Sequence, residues 1–524
     1  MKIRKPKTGV IEMATSSLSS LNRSMLRLSG LSSGLDTDSI VKNLLKIDQL
    51  KVDKQFKLKT NLEWKSNALR EVNTLLRNFR SNNMSALSQD NNMLSTSNYN
   101  LYKVTMGSET NAVKISASSQ AAAGSVTINS ITHIATAAKA YSTNISDSAI
   151  ATSTTLKDAA TAFSTDLTFE DGQISFSING QTFTFGENDT IAAVINKVNS
   201  NSAAGVTMSY SSLKKGFTIT AKTTGASSAV VIDNLKGNAF TSADKGAGAF
   251  GIAEGTVNGQ DAELMIDGVN VKQSSNTFTI DGITYTLKDE STTAIDFTVE
   301  RDIDSTFNKI VSFVDNYNSM IATLQGKLDE EVFKDFDPLT DEERDQLSDE
   351  QATKWEEKAK SGLLAGDDNI ERLLGKMRSA FYSAVADTGL SPSNIGLNTG
   401  SYLDHGKITI DKDKLRAALE NNPDQVTKIF TNVSKSTDPT TKFNESGLVT
   451  RISDIMASYV TNTVDVTLKE NDEAIDNADD RLSQLQDLLS SNEEKYYAKF
   501  TAMETALAKL NSQTSLFSSL TSKS

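Results

Sequence analysis

The chain has 524 residues, 53 Lys and Arg against 66 Asp and Glu, a formal net charge of -13, and no Cys. That length exceeds one hydrophobic core and implies roughly two to four domains; the acidic balance disfavours a phosphate backbone and argues against nucleic acid as a partner; the missing Cys rules out disulfides and thiolate chemistry. No apolar run approaches a membrane span, and MKIRKPKTGVIEMATSSLSSLNRS has a basic start without the apolar stretch of a cleaved secretory signal, so membrane insertion is not expected and export would take another route.

Taken in chain order, residues 1–28 are expected to be a disordered extension. In LSGLSSGLDTDSI, Ser and Gly make a lead, and Asp36 or Asp38 can cap a helix start. From Asp36 to Met84 the spacing predicts helix: Ile40, Leu44, Ile47, Leu58, Leu62, Leu69, Val72, Leu76 and Phe79 keep a three-four rhythm that Lys51, Lys54 and Lys65 interrupt. From Val113 to Val299 the chain turns to strands. Asx-Gly turns at Asn179-Gly180, Asp267-Gly268 and Asp281-Gly282 set Phe176 opposite Phe183, Leu264 opposite Val271, and Phe278 opposite Tyr285, each giving one apolar face. Between them, Ile191, Val194, Ile195 and Val198 share a helical face.

Helix returns after Asp304. Thr340 with Glu343, and Ser348 with Gln351, read as consecutive capping boxes. A short extended piece surrounds Ile408 and Ile410. The last helix holds Ile475, Leu482, Leu485 and Leu489 in heptad spacing, slips phase near Tyr496, and continues as the stripe Tyr496, Phe500, Met503, Leu507 and Leu510, an arm of roughly 50 Å at ~1.5 Å per residue.

These elements predict an α+β multidomain chain in which both termini form a helical, coiled-coil-like leg around inserted β-rich head domains. The expected division is a leg of 29–50 and 470–524, a helical stalk of 51–112 and 300–469, a β-rich head of 113–140 and 256–299, and a second inserted head of 141–255. The closing stripe has one candidate partner within the chain, the Ile40, Leu44, Ile47 face, and can keep a free side. These eight residues, Ile40, Leu44, Ile47, Tyr496, Phe500, Met503, Leu507 and Leu510, are the candidate assembly interface.

No catalytic constellation or cofactor site appears, and no enzyme is expected. His133 and His405 have no metal spacing around them. Gly246, Gly248 and Gly251 spell GxGxxG without the strand and helix a dinucleotide needs, and read as a flexible connection. Asp411 and Asp413 open like a calcium loop but lack its sixth-position Gly.

LSGLSSGLDTDSIVKNLLKID, ASSQAAAGSVTINSITHIATAAK, GQDAELMIDGVNVKQSSNTFTIDGITYTL, GKITIDKDKLRAALENNPDQVTKIF and FTAMETALAKLNSQTSLF, in this order, resemble the hallmarks of the bacterial flagellar filament cap family, hook-associated protein 2. The resemblance implies a secreted homo-oligomeric ring, commonly a pentamer, whose heads form a plate and whose legs reach the last flagellin subunits at the filament end. It also implies type III export, with an export chaperone before secretion. Residues 174–219 resemble a module inserted in some flagellins and cap proteins. The alternatives are another flagellar axial protein, such as flagellin or a hook-filament junction protein, and an adhesin acting through the β head.

Overall fold

The computed structural model describes residues 34–142, 145, 146, 148–241, 246–400 and 406–521, with side chains to residue 518. The extension expected over residues 1–28 lies outside them. The chain divides into a helical unit, Met1–Leu94, Ile310–Ala418 and Asp424–Ser524, and a β-rich unit, Ser95–Lys309 with Leu419–Pro423. Its principal helices are α1 (Thr37–Met84), α2 (Ile191–Ser200), α3 (Ile303–Leu328), α4 (Asp368–Tyr382), α5 (Pro439–Glu445), α6 (Leu448–Tyr459) and α7 (Asp465–Thr521), with a π turn at Val460–Val464 joining the last two. The α+β multidomain architecture is the one its residue patterns predict.

In the β-rich unit, one lobe holds a five-stranded antiparallel sheet. Its order is β1 (Tyr102–Met106), β15 (Ile295–Arg301), β3 (Gly124–His133), β11 (Ala262–Ile266), β12 (Val269–Gln273). Against it lies a three-stranded sheet of β13 (Thr277–Ile280), β14 (Ile283–Leu287) and β2 (Val113–Ala117), around a core of Ile128, Leu264, Tyr285 and Phe297. The second lobe contains β10 (Gly255–Asn258), β9 (Ala229–Lys236), β5 (Gln173–Ile178) and β6 (Gln181–Gly186) in one sheet. A second sheet there holds β4 (Lys139–Tyr141), β8 (Gly216–Ala221) and β7 (Val206–Ser211). Phe176, Phe183, Phe217, Phe240 and Phe250 fill this lobe, and α2 buries Ile191, Val194 and Val198 in the same cluster.

The turn chemistry explains the registers. Asn179, Asp267 and Asp281 have φ of 49°, 45° and 48°, each followed by a Gly at 75° to 77°, the mirror-image turn that matches strand twist. Phe176 then faces Phe183, Leu264 faces Val271 and Phe278 faces Tyr285. A further Asx-Gly turn, Asp171-Gly172, precedes β5. Strand structure also begins before Val113, because β1 pairs with β15 from Tyr102↔Arg301 to Met106↔Phe297. The glycine triplet is a packed turn and not a flexible connection: Ala249 N donates to Asn238 O and Phe250 N to Ala239 O, both at 2.9 Å, which drives Phe250 into the core. Gly251, at φ 68°, has no room for a Cβ beside Ile145 and Ser142.

The helical unit is tied together by apolar contacts and one buried cation. Leu69, Val72, Leu76 and Phe79 of α1 are buried, and Phe79 lies 5.8 Å from Phe313 of α3. Tyr317 of α3 packs 4.8 Å from Phe381 of α4. Arg451 of α6 is 1% exposed. Its Nε donates to Phe443 O at 2.6 Å, Nη1 to Ser383 O at 2.7 Å and Ala380 O at 3.3 Å, and Nη2 to Ala384 O at 2.7 Å and Asn444 O at 2.9 Å. These carbonyls cluster at the C-terminal ends of α4 and α5, where helix dipoles leave partial negative charge, so two helix ends stand in for a carboxylate. Burial pushes the guanidinium down to about 10.

Arg451→Met is expected to lower the stability of the helical unit by at least ~3 kcal/mol, since several buried carbonyls lose their donor at ~1–3 kcal/mol each. Arg451→Lys should recover only part of this, because an ammonium cannot fork across five acceptors; denaturant midpoints followed by helical circular dichroism check both. For the β-rich unit, a fragment of residues 95–309 should melt cooperatively. A fragment of 113–299 lacks β1, uncovers the edge of β15, and should melt about 5 °C lower or more.

Candidate assembly surface

The helices that open and close the described chain run antiparallel. Arg70 meets Asp472 at 2.9 Å, Lys59 meets Asp479 at 2.5 Å, Asn492 Nδ2 donates to Asp48 at 3.0 Å, and the Tyr497 hydroxyl donates to Asp38 at 2.8 Å. Between these polar contacts lies an apolar seam of Val52, Leu482 and Leu485, with Phe56 and Leu489 packed against it. Each buried aliphatic side chain is worth ~1.5–3 kcal/mol, whereas an exposed ion pair contributes ~1 kcal/mol or less, so the seam holds the pair and the charges choose its register. Hydrogen bonds from Lys51 and then Asn492 hold the Asp48 carboxyl below its ordinary range. Asp36 is the cap: its carboxylate accepts from Ser39 N at 3.1 Å.

The residues read from sequence as the interface are not brought face to face. α7 packs on the adjacent face of α1, where Val41, Leu45 and Val52 are buried, while Leu44 is 46% and Ile47 70% exposed. Ile40 is half-buried. On α7, Tyr496, Phe500, Met503 and Leu507 are half-buried and Leu510 is 56% exposed. Since Tyr497 already lies level with Asp38, the stripe from Phe500 to Leu510 continues past the start of α1 at Thr37. The first turns of α1 carry apolar residues on two neighbouring faces, and a three-four count fits either. Charge does not separate them either, because Lys59 and Arg70 share the Val52 face while Lys51 and Lys54 stand on that of Leu44 and Ile47.

Beside this pair, the helix Asp341–Asp345 closes a cleft of about 540 Å³, lined by Lys42, Lys46, Leu50, Glu343 and Leu489 among others. Its position follows from the sequence-predicted capping box: Glu343 N donates to Thr340 Oγ1 at 3.3 Å, Thr340 N to Glu343 Oε2 at 3.0 Å, and Lys57 pairs with Glu343 at 2.8 Å. The second box, Ser348 with Gln351, is also formed. No group of His, Asp and Glu among the described residues could hold a metal ion. Asp411 instead accepts from Lys414 N at 3.1 Å at a helix start, and His133 sits exposed 3.4 Å from Glu290. His405 is outside the described residues. Among the described helices, none is long and apolar enough to cross a membrane.

Fold and surface define a class: α+β chains whose first and last helices pair, with β-rich lobes inserted between them. The chain belongs to the flagellar hook-associated protein 2 family. That family's N-terminal model matches residues 33–138 and its C-terminal model residues 259–512. The two matches stop at the base of the second lobe, where Thr136 and Gln260 exchange backbone hydrogen bonds at 2.9 and 3.0 Å. Flagellar hook-associated protein 2 of Halalkalibacterium halodurans is 29% identical, over 93% of this chain and 98% of that protein. The Thermotoga maritima protein of the same name is 27% identical over 65% of this chain and 54% of its own. A crystal structure of the flagellar cap protein FliD D1-D2-D3 domains from Escherichia coli has the same fold, with a TM-score of 0.54 at 21% identity, covering 77% of this chain and 99% of that one.

Leu485→Asp, which puts a charge in the buried seam, should separate α1 from α7 and expose both to limited proteolysis while leaving the β-rich unit's melting unchanged. Leu488→Asp, at a position 46% exposed, should leave the protease pattern as in the parent chain.

Proposed function

We propose that this chain caps the distal end of the bacterial flagellar filament, where it promotes folding and insertion of exported flagellin and prevents its leakage. The observation that carries the reading is a family-matched chain whose paired terminal helices keep large apolar side chains, Leu44, Ile47 and Leu510, in solvent. Apolar helix faces left in water mark contact surfaces for other subunits. In this reading the leg of 29–50 and 470–524, with Ile40, Leu44, Ile47, Tyr496, Phe500, Met503, Leu507 and Leu510, docks on neighbouring subunits and the filament end. The stalk of 51–112 and 300–469 supports it, and the heads of 113–140 with 256–299 and of 141–255 form the plate. The assembly is a homo-oligomeric ring, taken as a pentamer, at the extracellular tip of the flagellum, and an export chaperone holds the chain before secretion.

A Leu507→Asp, Leu510→Asp double variant tests it. The variant should be exported with its β-rich unit folded, yet fail to stay on filament tips, so that flagellin appears unpolymerised in the medium. Lys509→Asp changes charge on an exposed position of the same helix and should cap nearly normally. Equal capping by both variants, scored by filament length and secreted monomer, would remove the stripe as the docking surface.

A further inference from the structure

One row of side chains runs the length of α1 at three-four spacing, and the structure treats its two halves differently. The upper half, Leu69, Val72, Leu76 and Phe79, is buried. α3 lies against this part of α1 in antiparallel sense, with Phe313 on Phe79, Asn316 Nδ2 donating to Asn83 at 3.0 Å, and Lys327 paired with Glu71 at 2.8 Å near the end of α3 at Leu328. Lys360 then sits 4.7 Å from the Trp64 ring. Below that point the same row emerges into solvent: Leu58 is 50%, Ile47 70% and Leu44 46% exposed, a stretch of about 21 Å, or roughly four turns.

The lower half differs from the upper one in charge. Lys51 and Lys54 stand within the row. Lys51 pairs only along its own helix, with Asp48 at 2.8 Å, and Lys54 has no ion-pair partner among the described residues. A helix covering this row with apolar residues alone would strand ammonium groups at its seam, which is costly, whereas carboxylates opposite them set register and select the partner. The adjacent face of α1 already shows that solution, with Lys59 and Arg70 meeting Asp479 and Asp472 of α7 around the Val52 seam.

We propose that the lower row of α1 binds an acidic amphipathic helix from another polypeptide, seated along the line that α3 leaves at Leu328. The inference rests on the reading of the leg as an assembly surface and names the chemistry of what docks there.

Because the chain lacks Cys, Asn43→Cys gives one labelling site beside the row for an environment-sensitive dye. The probe is a synthetic peptide of this chain's residues 472–494, which carries the acidic and apolar pattern required, titrated into the labelled full chain. Saturable binding is expected, weakening as salt rises and falling about tenfold or more in Lys51→Glu, Lys54→Glu protein. A peptide with its exposed acids replaced by Lys should bind the charge-reversed protein in preference to the parent. Loss of the response in Ile47→Asp, Leu58→Asp protein assigns it to this row and not to displacement of α7. No response, or equal affinity for parent and charge-reversed protein, overturns the proposal. Sedimentation of the unlabelled chain adds a separate check: self-association abolished by Ile47→Asp would make a second copy the occupant and also overturn it. A chain that caps filaments normally but fails the peptide test sinks this inference alone.

Discussion

A seam of a few aliphatic residues closes this chain on itself, although Lys59 and Asp479, which flank it, are 420 residues apart in sequence. Once α1 and α7 are paired, whatever lies between them must leave and return without prising the seam open. The β-rich unit meets this condition at its base, where β1 and β15 are antiparallel neighbours from Tyr102↔Arg301 onward. Its second lobe meets it again at the Thr136–Gln260 bridge. Each insertion enters and leaves through adjacent strands and carries its own core. Nesting of this kind follows from a preference for short connections between neighbouring elements.

How much of this was legible depended on the range of the interaction. Local chemistry read well: two-residue turns at Asn179, Asp267 and Asp281 fixed both backbone hand and facing pairs, and the capping boxes at Thr340 and Ser348 formed as expected. β1 was not recognised, because Tyr102–Met106 is five residues long and alternates half-buried with exposed positions, leaving a weak apolar signal whose partner lies near residue 300. The phase of the α1–α7 seam was also missed. Ile40 with Leu44 and Val41 with Leu45 are equally good beginnings of an amphipathic face, and only the opposite helix decides between them. Arg451 gave no local signal at all, since its acceptors come from two other helix ends that converge only in the folded unit.

The helical unit therefore combines two kinds of specification. Apolar rows supply most of the free energy but discriminate weakly between faces, because methyl and methylene groups have no preferred neighbour. Polar contacts such as Arg70–Asp472, or the Arg451 fork, add less net stability but admit few arrangements. On the lower part of α1 the lysines form such a contact set without its counterpart.

The long interval between α1 and α7 also orders events in time. The three hairpins closed by two residues form quickly, whereas joining Lys59 to Asp479 must overcome the closure entropy of a loop spanning most of the chain. The leg pairing thus belongs among the last contacts to form on the folding route. Those hairpins can be in place while α1 and α7 still lack each other, and during that interval the apolar faces of the two helices are open to capture by any helix already in place nearby.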